Sequence, residues 1–129
     1  MKKKYVKNKK KVLKKDTVVM ISGGFEPIHI GHIRYMQEAR KLGDKLIVVI
    51  NNDNWLRLKK GSSFMPEKER KEIIESIGVV DKVIISGHSK NTKDMSVCQQ
   101  IIKVKPNIFA NGGDRFADNI PEFKLCNEM

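Results

Sequence analysis

Two of the three histidines in this 129-residue chain stand three positions apart, in the segment between Gly23 and His32. A short apolar run precedes this segment, and the segment itself contains glycine at three positions. Where a strand turns into a helix, the first helical turn leaves backbone N–H groups unpaired at the positive end of the helix dipole. Imidazoles at i and i+3 share one face of such a turn. The pattern therefore predicts a phosphate site in which His29 and His32 stabilise developing negative charge.

The histidine pair has three other interpretations. A helical His-x-x-His can bind zinc, but a catalytic zinc site needs a third protein ligand, which only His88, a cysteine or a distant carboxylate would supply. The two rings can instead be structural. The same four letters, His-Ile-Gly-His, also occur in class I aminoacyl-tRNA synthetases, although this chain is far too short for a complete one.

The elements that must position these residues alternate along the chain. Continuous apolar runs, typical of strands buried on both faces, occur at 17–21, 46–50, 83–85 and 108–110. Helical patterns occupy about 31–42, 66–77 and 93–104, and Pro121 is expected to begin a last helix. The polar stretch 51–63 is interpreted as a long functional loop. In the helix after Pro66, the buried face is assigned to Ile73, Ile74 and Ile77.

This alternation predicts an α/β fold: a three-layer, Rossmann-like parallel sheet with helices on both faces. Ligands in such folds bind at the carboxyl ends of the strands, near a topological switch point. The glycine-rich loops after the first and fourth predicted strands both belong to that edge. A site at this edge is therefore expected on topology alone.

The net charge of +11 is concentrated at the start of the chain, because residues 1–15 hold nine lysines and no acid. We expect residues 1–15 to form a disordered basic tail and residues 16–129 to form one domain. The alternative for the tail is binding to nucleic acid or to an anionic membrane surface. Tyr5 is its sole aromatic residue, which gives little support to stacking on single strands.

Other global features favour a cytoplasmic protein. No apolar run approaches the roughly 18 residues that a membrane span requires, and no apolar segment of the signal-peptide kind follows the basic start. Cys98 and Cys126 show neither metal-type nor redox-type spacing. We expect both to be reduced thiols.

These motifs resemble the cytidylyltransferase-like nucleotidyltransferase superfamily, in particular relatives of glycerol-3-phosphate cytidylyltransferase and heptose-phosphate adenylyltransferase. His29-Ile30-Gly31-His32 is similar to the family's signature. The similarity covers roughly residues 17–127 and continues, in order, through residues 40–49, Asn51-Asn52-Asp53, Glu69-Arg70, Val80-Asp81 and Gly112-Gly113-Asp114.

The resemblance implies transfer of CMP or AMP from a nucleoside triphosphate to a phosphorylated alcohol or sugar, with release of pyrophosphate. In such a site His29, His32 and the backbone N–H of Phe25 would hold the α-phosphate, and Gly24 would allow the backbone to approach it. Lys60 would neutralise the phosphates. Mg²⁺ would bridge the triphosphate oxygens, as this cation does with few protein carboxylates.

The same resemblance assigns the remaining candidates. Gly112 and Asp114 would contact the nucleotide, and Asp114 would also be the metal ligand. Supporting roles fall to Glu26, Lys59, Arg70, Asp53 and Asp81. The alternatives are an ordinary exposed lysine pair at 59 and 60, a solvent-facing ion pair for Arg70, and a turn cap for Asp81. Trp55 is as consistent with packing as with substrate contact.

Two departures from the family pattern matter. The family usually has Asp where this chain has Glu26, and family members continue into a further strand and a Ser/Thr-rich loop that binds the triphosphate. The sequence ends at Met129, before that segment. The resemblance implies an enzyme, which we expect to be a homodimer. Because of these departures, the alternative is a non-catalytic nucleotide-binding or regulatory protein on the same fold.

Overall fold

The computed structural model describes residues 4–7 and 17–111, together with Glu122 and Leu125. Within that part of the chain, strands and helices alternate as predicted, with one additional strand at the start. The strands are β1 (Lys4–Lys7), β2 (Val18–Gly23), β3 (Lys45–Ile50), β4 (Lys82–Ile85) and β5 (Ile108–Asn111). The helices are α1 (Ile30–Arg40), α2 (Asp53–Lys60), α3 (Glu67–Glu75) and α4 (Cys98–Val104).

The five strands form one sheet in the order β1-β5-β2-β3-β4. β2 is parallel to both β3 and β5, and β3 is parallel to β4. The chain moves outward from β2 through β3 to β4 and then crosses back to add β5 on the other side of β2. The topological switch point therefore lies between β2 and β5, so the two glycine-rich loops do follow neighbouring strands.

Alternating side chains of the strands build a core on each face of the sheet. On one face, Val19, Ile21 and Val48 pack with Met36 of α1 and Ile74 of α3. On the opposite face, Met20, Val49 and Phe109 pack with Val97 and with Ile101 of α4. Because helices cover both faces, the predicted three-layer α/β architecture is confirmed.

The prediction of a long loop at 51–63 is wrong, because α2 occupies most of it. Asn52 caps the helix by accepting a hydrogen bond from the Trp55 N–H, and Gly61 ends it in the left-handed conformation at φ 85. These are the ordinary start and stop residues of a helix. Only Leu56 of this helix is buried, and three of its eight residues are apolar, so polar and basic residues dominate the stretch and conceal its short apolar face.

Two helix details also differ from expectation. The helix predicted to begin near residue 93 begins at Cys98, because the Asp94 carboxylate accepts hydrogen bonds from the N–H and the hydroxyl of Ser96 and holds the chain in a turn. In α3, Ile73 was assigned to the buried face but is 38% exposed. The buried side instead carries Ile74 and, one turn earlier, Arg70.

The segment predicted to be a disordered tail contains β1 at residues 4–7, and the disorder expected for residues 1–15 stays a prediction. β1 runs antiparallel to β5 at the edge of the sheet, with Lys4 opposite Asn111 and Lys7 opposite Ile108. Lysine is a common residue on edge strands, since its charge discourages pairing with another molecule. The domain boundary at residue 16 stays a prediction.

Two further expectations were that the cysteines are reduced thiols and that no segment spans a membrane. Cys98 is a free thiol, and burial raises its pKa, which makes it a poor nucleophile. Cys126 lies outside the described residues, as does most of the helix predicted from Pro121, of which Glu122 and Leu125 are helical. Among the helices described, none has the length and apolar character to cross a bilayer.

The two neighbouring isoleucines of α4 test the assignment of the second core. Ile101 is fully buried, whereas Ile102 is 50% exposed. We expect Ile101→Ala to lower the free energy of unfolding by about 2–5 kcal/mol, and Ile102→Ala to change it by about 0.5 kcal/mol or less. Urea unfolding followed by circular dichroism measures both, and equal losses would contradict the described packing of α4.

Candidate active site

His29 and His32 build the start of α1 by capping each other. His29 is the residue before the helix, and its Nδ1 accepts a hydrogen bond from the Gly31 N–H at 3.0 Å. His32 Nδ1 in turn accepts from the His29 N–H at 3.1 Å. The exchange has the form of a capping box, with imidazoles in place of the usual hydroxyl and carboxylate. It fixes both rings in position.

This exchange also determines which ring nitrogens carry protons. Both Nδ1 atoms act as acceptors, so in each neutral ring the hydrogen sits on Nε2. The rings are stacked, with centroids 3.8 Å apart and planes 29° apart. Burial, and then the neighbouring His29, lower the pKa of His32 from its ordinary 6.5. With both Nδ1 atoms occupied, the site presents two Nε2–H donors at the amino end of a helix.

The residues on either side explain why the motif has its spacing. An added Cβ at Gly31 would lie 2.8 Å from Cε1 of His29, so only glycine leaves room for this ring to fold back onto the helix start. Phe25, which has a left-handed backbone at φ 52, is buried and presents the edge of its ring to His32, with centroids 5.1 Å apart. Phe25 thus packs against the imidazole of His32 and helps to fix its position.

Glu26 joins the loop after β2 to the segment between α2 and α3. Its side chain is almost fully buried, and its Oε2 accepts hydrogen bonds from the N–H groups of Phe64 and Met65 at 2.9 and 2.8 Å and from the Ser63 hydroxyl at 3.1 Å. Burial alone would raise the pKa of Glu26, but these bonds and the one from Lys60 outweigh it and hold the pKa below 4.5. The carboxylate is therefore charged and fully engaged.

Lys60 ends α2 beside this carboxylate. Its Nζ lies 3.3 Å from Glu26 Oε1 and 3.1 Å from the Glu26 carbonyl oxygen, and 5.6 Å from the ring centroid of Phe64. The Lys60 side chain is 44% exposed, so it is within reach of both the loop and a ligand. Lys59 lies in the same last turn and is exposed.

Arg70 is buried beneath the site, with its side chain fully enclosed. Its guanidinium donates hydrogen bonds to the carbonyl oxygens of Gly24, Asn51 and Met65, and it pairs with Asp53 at 2.8 Å. The alternative of a solvent-facing ion pair for Arg70 is therefore wrong. Gly24 packs closely here, because a Cβ would lie 3.1 Å from the Leu56 side chain, which would have to shift.

Not every candidate lies at this edge of the sheet. Asp81 accepts a hydrogen bond from the Leu46 N–H at 2.8 Å and lies 3.5 Å from Arg40, so it sits near the start of β3, at the opposite edge. The structure thus favours the local alternative for Asp81. Gly112 and Asp114 lie outside the described residues, and their assigned contacts stay predictions.

One polar network was missed in the sequence. The Asn52 N–H donates to the Ser86 hydroxyl, Ser86 Oγ lies 2.7 Å from His88 Nδ1, and His88 Nε2 lies 2.7 Å from the Ser96 carbonyl oxygen. Because a carbonyl only accepts, His88 donates through Nε2, and in that tautomer its Nδ1 accepts a hydrogen bond from the Ser86 hydroxyl. The one available signal was Asn52, whose type suits a helix cap.

Neither Trp55 nor His88 belongs to the group formed by His29 and His32. The Trp55 ring N–H donates to the Met95 carbonyl oxygen at 2.8 Å, which supports the packing interpretation. Across the described residues, no three side chains of His, Cys, Asp or Glu come together in an arrangement that could hold a metal ion. The histidine pair therefore has no third ligand of this kind within that part of the chain.

The network around Arg70 predicts a large loss of stability on substitution. Arg70→Met would leave the Asp53 carboxylate and three carbonyl groups without their partner, so we expect the free energy of unfolding to fall by about 3–5 kcal/mol. Lys71→Gln is the control, since the side chain of this neighbour is 40% exposed, lies 4.0 Å from Glu75 and should change stability by about 0.5 kcal/mol or less. Urea unfolding compares them, and a small effect of Arg70→Met would contradict the network.

The environment of His32 predicts its titration. A histidine whose pKa is lowered on folding contributes stability above its unfolded pKa of 6.5, and loses it as pH falls through the folded value. We therefore expect the free energy of unfolding to decrease below pH 6.5, and to decrease less steeply in His32→Gln. NMR titration of the ring gives the pKa directly, and a value at or above 6.5 would refute the described environment.

Comparison with known proteins places this geometry in a family. The sequence model of the cytidylyltransferase-like family matches residues 20–128. The FAD synthase of Archaeoglobus profundus is 35% identical over 111 residues, which is 86% of this chain and 65% of that protein. The bifunctional protein HldE of Syntrophotalea carbinolica is 34% identical over 100 residues, covering 76% of this chain and 19% of that protein.

A solved structure gives the same result. The lipopolysaccharide core biosynthesis protein of Thermoplasma volcanium is 36% identical, with a TM-score of 0.59, and the match covers 69% of this chain and 68% of that one. Against the archaeal FAD synthases, this chain spans 61% of the Ferroglobus placidus protein and 65% of the Archaeoglobus profundus protein. On the family match, the relatives and the shared fold, this chain belongs to the cytidylyltransferase-like family.

Proposed function

We propose that this chain is a nucleotidyltransferase that transfers AMP from ATP to a phosphorylated acceptor and releases pyrophosphate. The observation that carries the proposal is the pair of Nε2–H groups at the start of α1, held in place by the reciprocal cap of His29 and His32. An anion is favoured at a helix amino terminus. The pair stands after β2, next to the switch point where ligands bind in open α/β sheets.

The reaction needs positioning more than acid–base chemistry. An oxygen of the acceptor's phosphate is already anionic at neutral pH, so it can attack the α-phosphorus without a strong base. The new P–O bond forms as the bond from the α-phosphorus to the bridging oxygen breaks, and pyrophosphate leaves with the bonding electrons. The two imidazoles would donate their Nε2 hydrogens to the α-phosphate oxygens as charge accumulates there.

Lys60 and magnesium would share the remaining charge. Lys60 would move part of its contact from Glu26 to the phosphates, which its 44% exposure allows. The two described carboxylates near the site are engaged, Glu26 with the segment before α3 and Asp53 with Arg70. A magnesium ion would therefore be held mainly by phosphate oxygens, with Asp114 as the proposed protein ligand, and it would supply electrostatic stabilisation of the leaving pyrophosphate.

The relatives favour ATP over CTP and open a further class of acceptor. FAD consists of AMP joined to a flavin phosphate, so the name FAD synthase implies an aromatic acceptor, whereas the expectation from sequence was a phosphorylated alcohol or sugar. Phe64 favours the flavin class, because its ring is 65% exposed beside Lys60. An exposed ring next to a cation suits a flat aromatic group that carries a phosphate.

A pyrophosphate-release assay tests the proposal. ATP and CTP would each be combined, in the presence of Mg²⁺, with flavin mononucleotide, a sugar 1-phosphate or glycerol 3-phosphate. We expect turnover with ATP and at least one acceptor. Nucleotide binding without turnover on any acceptor would support the alternative, a non-catalytic nucleotide-binding protein. The homodimer and the cytoplasmic location are parts of the same proposal, and analytical ultracentrifugation tests the first.

Removal of one imidazole should separate catalysis from folding. His32→Gln keeps an acceptor for the His29 N–H but loses the ring donor, so we expect kcat to fall about 10²–10³-fold, as for loss of one oxyanion donor, with little change in melting temperature. Arg34→Gln, an exposed position two residues further along α1, is the matched control. Near-normal pyrophosphate release from His32→Gln would rule out the assigned role of this histidine.

A further inference from the structure

Asn51 stands where β3 ends, at the edge of the sheet that carries the proposed site. Its N–H donates to the Gly23 carbonyl oxygen at 2.9 Å, which extends the pairing of β3 with β2 by one residue. Its own carbonyl oxygen accepts a hydrogen bond from the Arg70 guanidinium. The backbone of Asn51 is therefore fixed beside the loop that leads to the histidine pair.

The side chain of Asn51 is buried, yet its amide oxygen has no hydrogen-bond partner within the part of the chain that the structure describes. Asn51 is 5% exposed and the adjacent Asn52 is 7% exposed. The amide of Asn52, in contrast, donates to two carbonyl oxygens and accepts from the Trp55 N–H. Buried polar atoms are nearly always paired, because an unpaired one loses its contacts with water without compensation. Folding stability therefore accounts for Asn52 but not for Asn51.

The strand pattern places the Asn51 amide on the face of the sheet that α4 covers. On that face Val49 packs with Phe109 and Ile101, whereas Ile50 belongs to the core on the opposite face. Because side chains alternate along a strand, the Asn51 side chain returns to the side of Val49. The histidine pair opens α1, which packs on the opposite face. The amide and the histidine pair therefore border the ligand edge from different faces of the sheet.

Asn51 also lies on the side of β2 that is away from the expected position of the nucleotide. In the sheet, β2 separates β5 from β3, and the switch point lies between β2 and β5. Asn51 follows β3 and leads into α2, which carries Lys60 and precedes Phe64, the residue that favours an aromatic acceptor. The amide therefore belongs to the acceptor's part of the proposed site.

The space next to this amide is occupied by side chains of α2. Gly24 follows the β2 residue that pairs with Ile50, so it is level with Asn51. A Cβ on Gly24 would lie 3.1 Å from the Leu56 side chain and 3.8 Å from the indole ring of Trp55. The indole is half-buried, and a single ring N–H bond to the Met95 carbonyl oxygen holds its polar end. A ligand that displaces this ring would gain access to the amide.

We propose that Asn51 is an acceptor-binding residue, whose amide oxygen accepts a hydrogen bond from an O–H or N–H group of the phosphorylated acceptor entering beside Trp55. The inference rests on the proposed function, because it assumes that an acceptor meets the nucleotide at this edge. An amide oxygen recognises a donor on the body of the acceptor and not its phosphate, which has only acceptor oxygens when fully ionised. A site built to pair with such a donor discriminates against analogues that lack it.

The test measures ligand binding by Asn51→Ala in the full chain. Isothermal titration calorimetry would give the Kd of flavin mononucleotide, ribitol 5-phosphate, a sugar 1-phosphate and ATP, each with Mg²⁺. We expect Asn51→Ala to weaken acceptor binding about tenfold, the loss of one hydrogen bond, and to leave ATP binding unchanged. Weakening for flavin mononucleotide alone would assign the donor to the flavin ring, whereas weakening for ribitol 5-phosphate or the sugar phosphate would assign it to a hydroxyl.

The melting temperature provides a second readout, because a structural role of Asn51 would appear there. Asn52→Ala is the matched control: it removes the helix cap and two further hydrogen bonds from an equally buried position, so its melting temperature should fall. Asn51→Ala removes an oxygen that has no partner among the described residues, so its melting temperature should stay the same or rise. A fall as large as that of Asn52→Ala would overturn the inference.

The remaining outcomes separate this inference from the function on which it rests. Unchanged acceptor affinity in Asn51→Ala would overturn the inference, and so would equal weakening of acceptor and ATP binding. Acceptor binding without pyrophosphate release by the unsubstituted chain would refute the proposed function, while the Kd comparison would still decide the role of Asn51. If the unsubstituted chain bound none of the acceptors, both proposals would fail together.

Discussion

The buried guanidinium of Arg70 is the interaction on which the rest of the site depends. It ties together three segments that are distant in sequence, through the carbonyl oxygens of Gly24, Asn51 and Met65, and it neutralises Asp53 at the start of α2. A charge in this position is tolerated only because its donors find partners. The loops after β2 and β3 and the segment before α3 are therefore held in one arrangement before any ligand arrives, which is the condition for electrostatic stabilisation of a transition state.

Glu26 makes the second set of contacts that connects distant segments of the site. Its side chain is one methylene longer than the aspartate usual in the family, and its contacts give this length a structural reason. The carboxylate reaches across to the N–H groups of Phe64 and Met65 and to Lys60, so it anchors the segment that follows α2 to the loop that carries the histidines. Together the two sets of contacts pair Lys60 with Glu26 and Arg70 with Asp53, and burial lowers the pKa of His32. The described site therefore holds hydrogen-bond donors in fixed positions, with each of these two cations balanced by a carboxylate.

The sequence predicted the features that rest on repetition or on local chemistry, namely the buried strands, the alternation with helices, the switch-point edge and the histidine turn. It failed where a feature rests on one contact between distant segments. α2 has three apolar residues among eight, and two of the four residues of β1 are lysines, so neither stands out in the sequence as an apolar run. The burial of Arg70 and the position of Asp81 at the sheet edge opposite the candidate site depend on partners 17 to 46 residues away in the sequence. No local pattern reveals such contacts.

The four residues His29 to His32 show how a motif can follow from helix geometry. His29 is the residue before the helix and His32 is its third residue, and each ring accepts a backbone N–H at the helix start, His29 from Gly31 and His32 from His29. This capping geometry sets the interval between the two histidines. The close approach of the first ring to the backbone requires glycine at position 31. The exchange occupies both Nδ1 atoms, and it therefore leaves both Nε2 hydrogens for a ligand. The bonds that start the helix and the donors proposed to act on phosphate thus belong to the same pair of rings, so a change of spacing would lose both together.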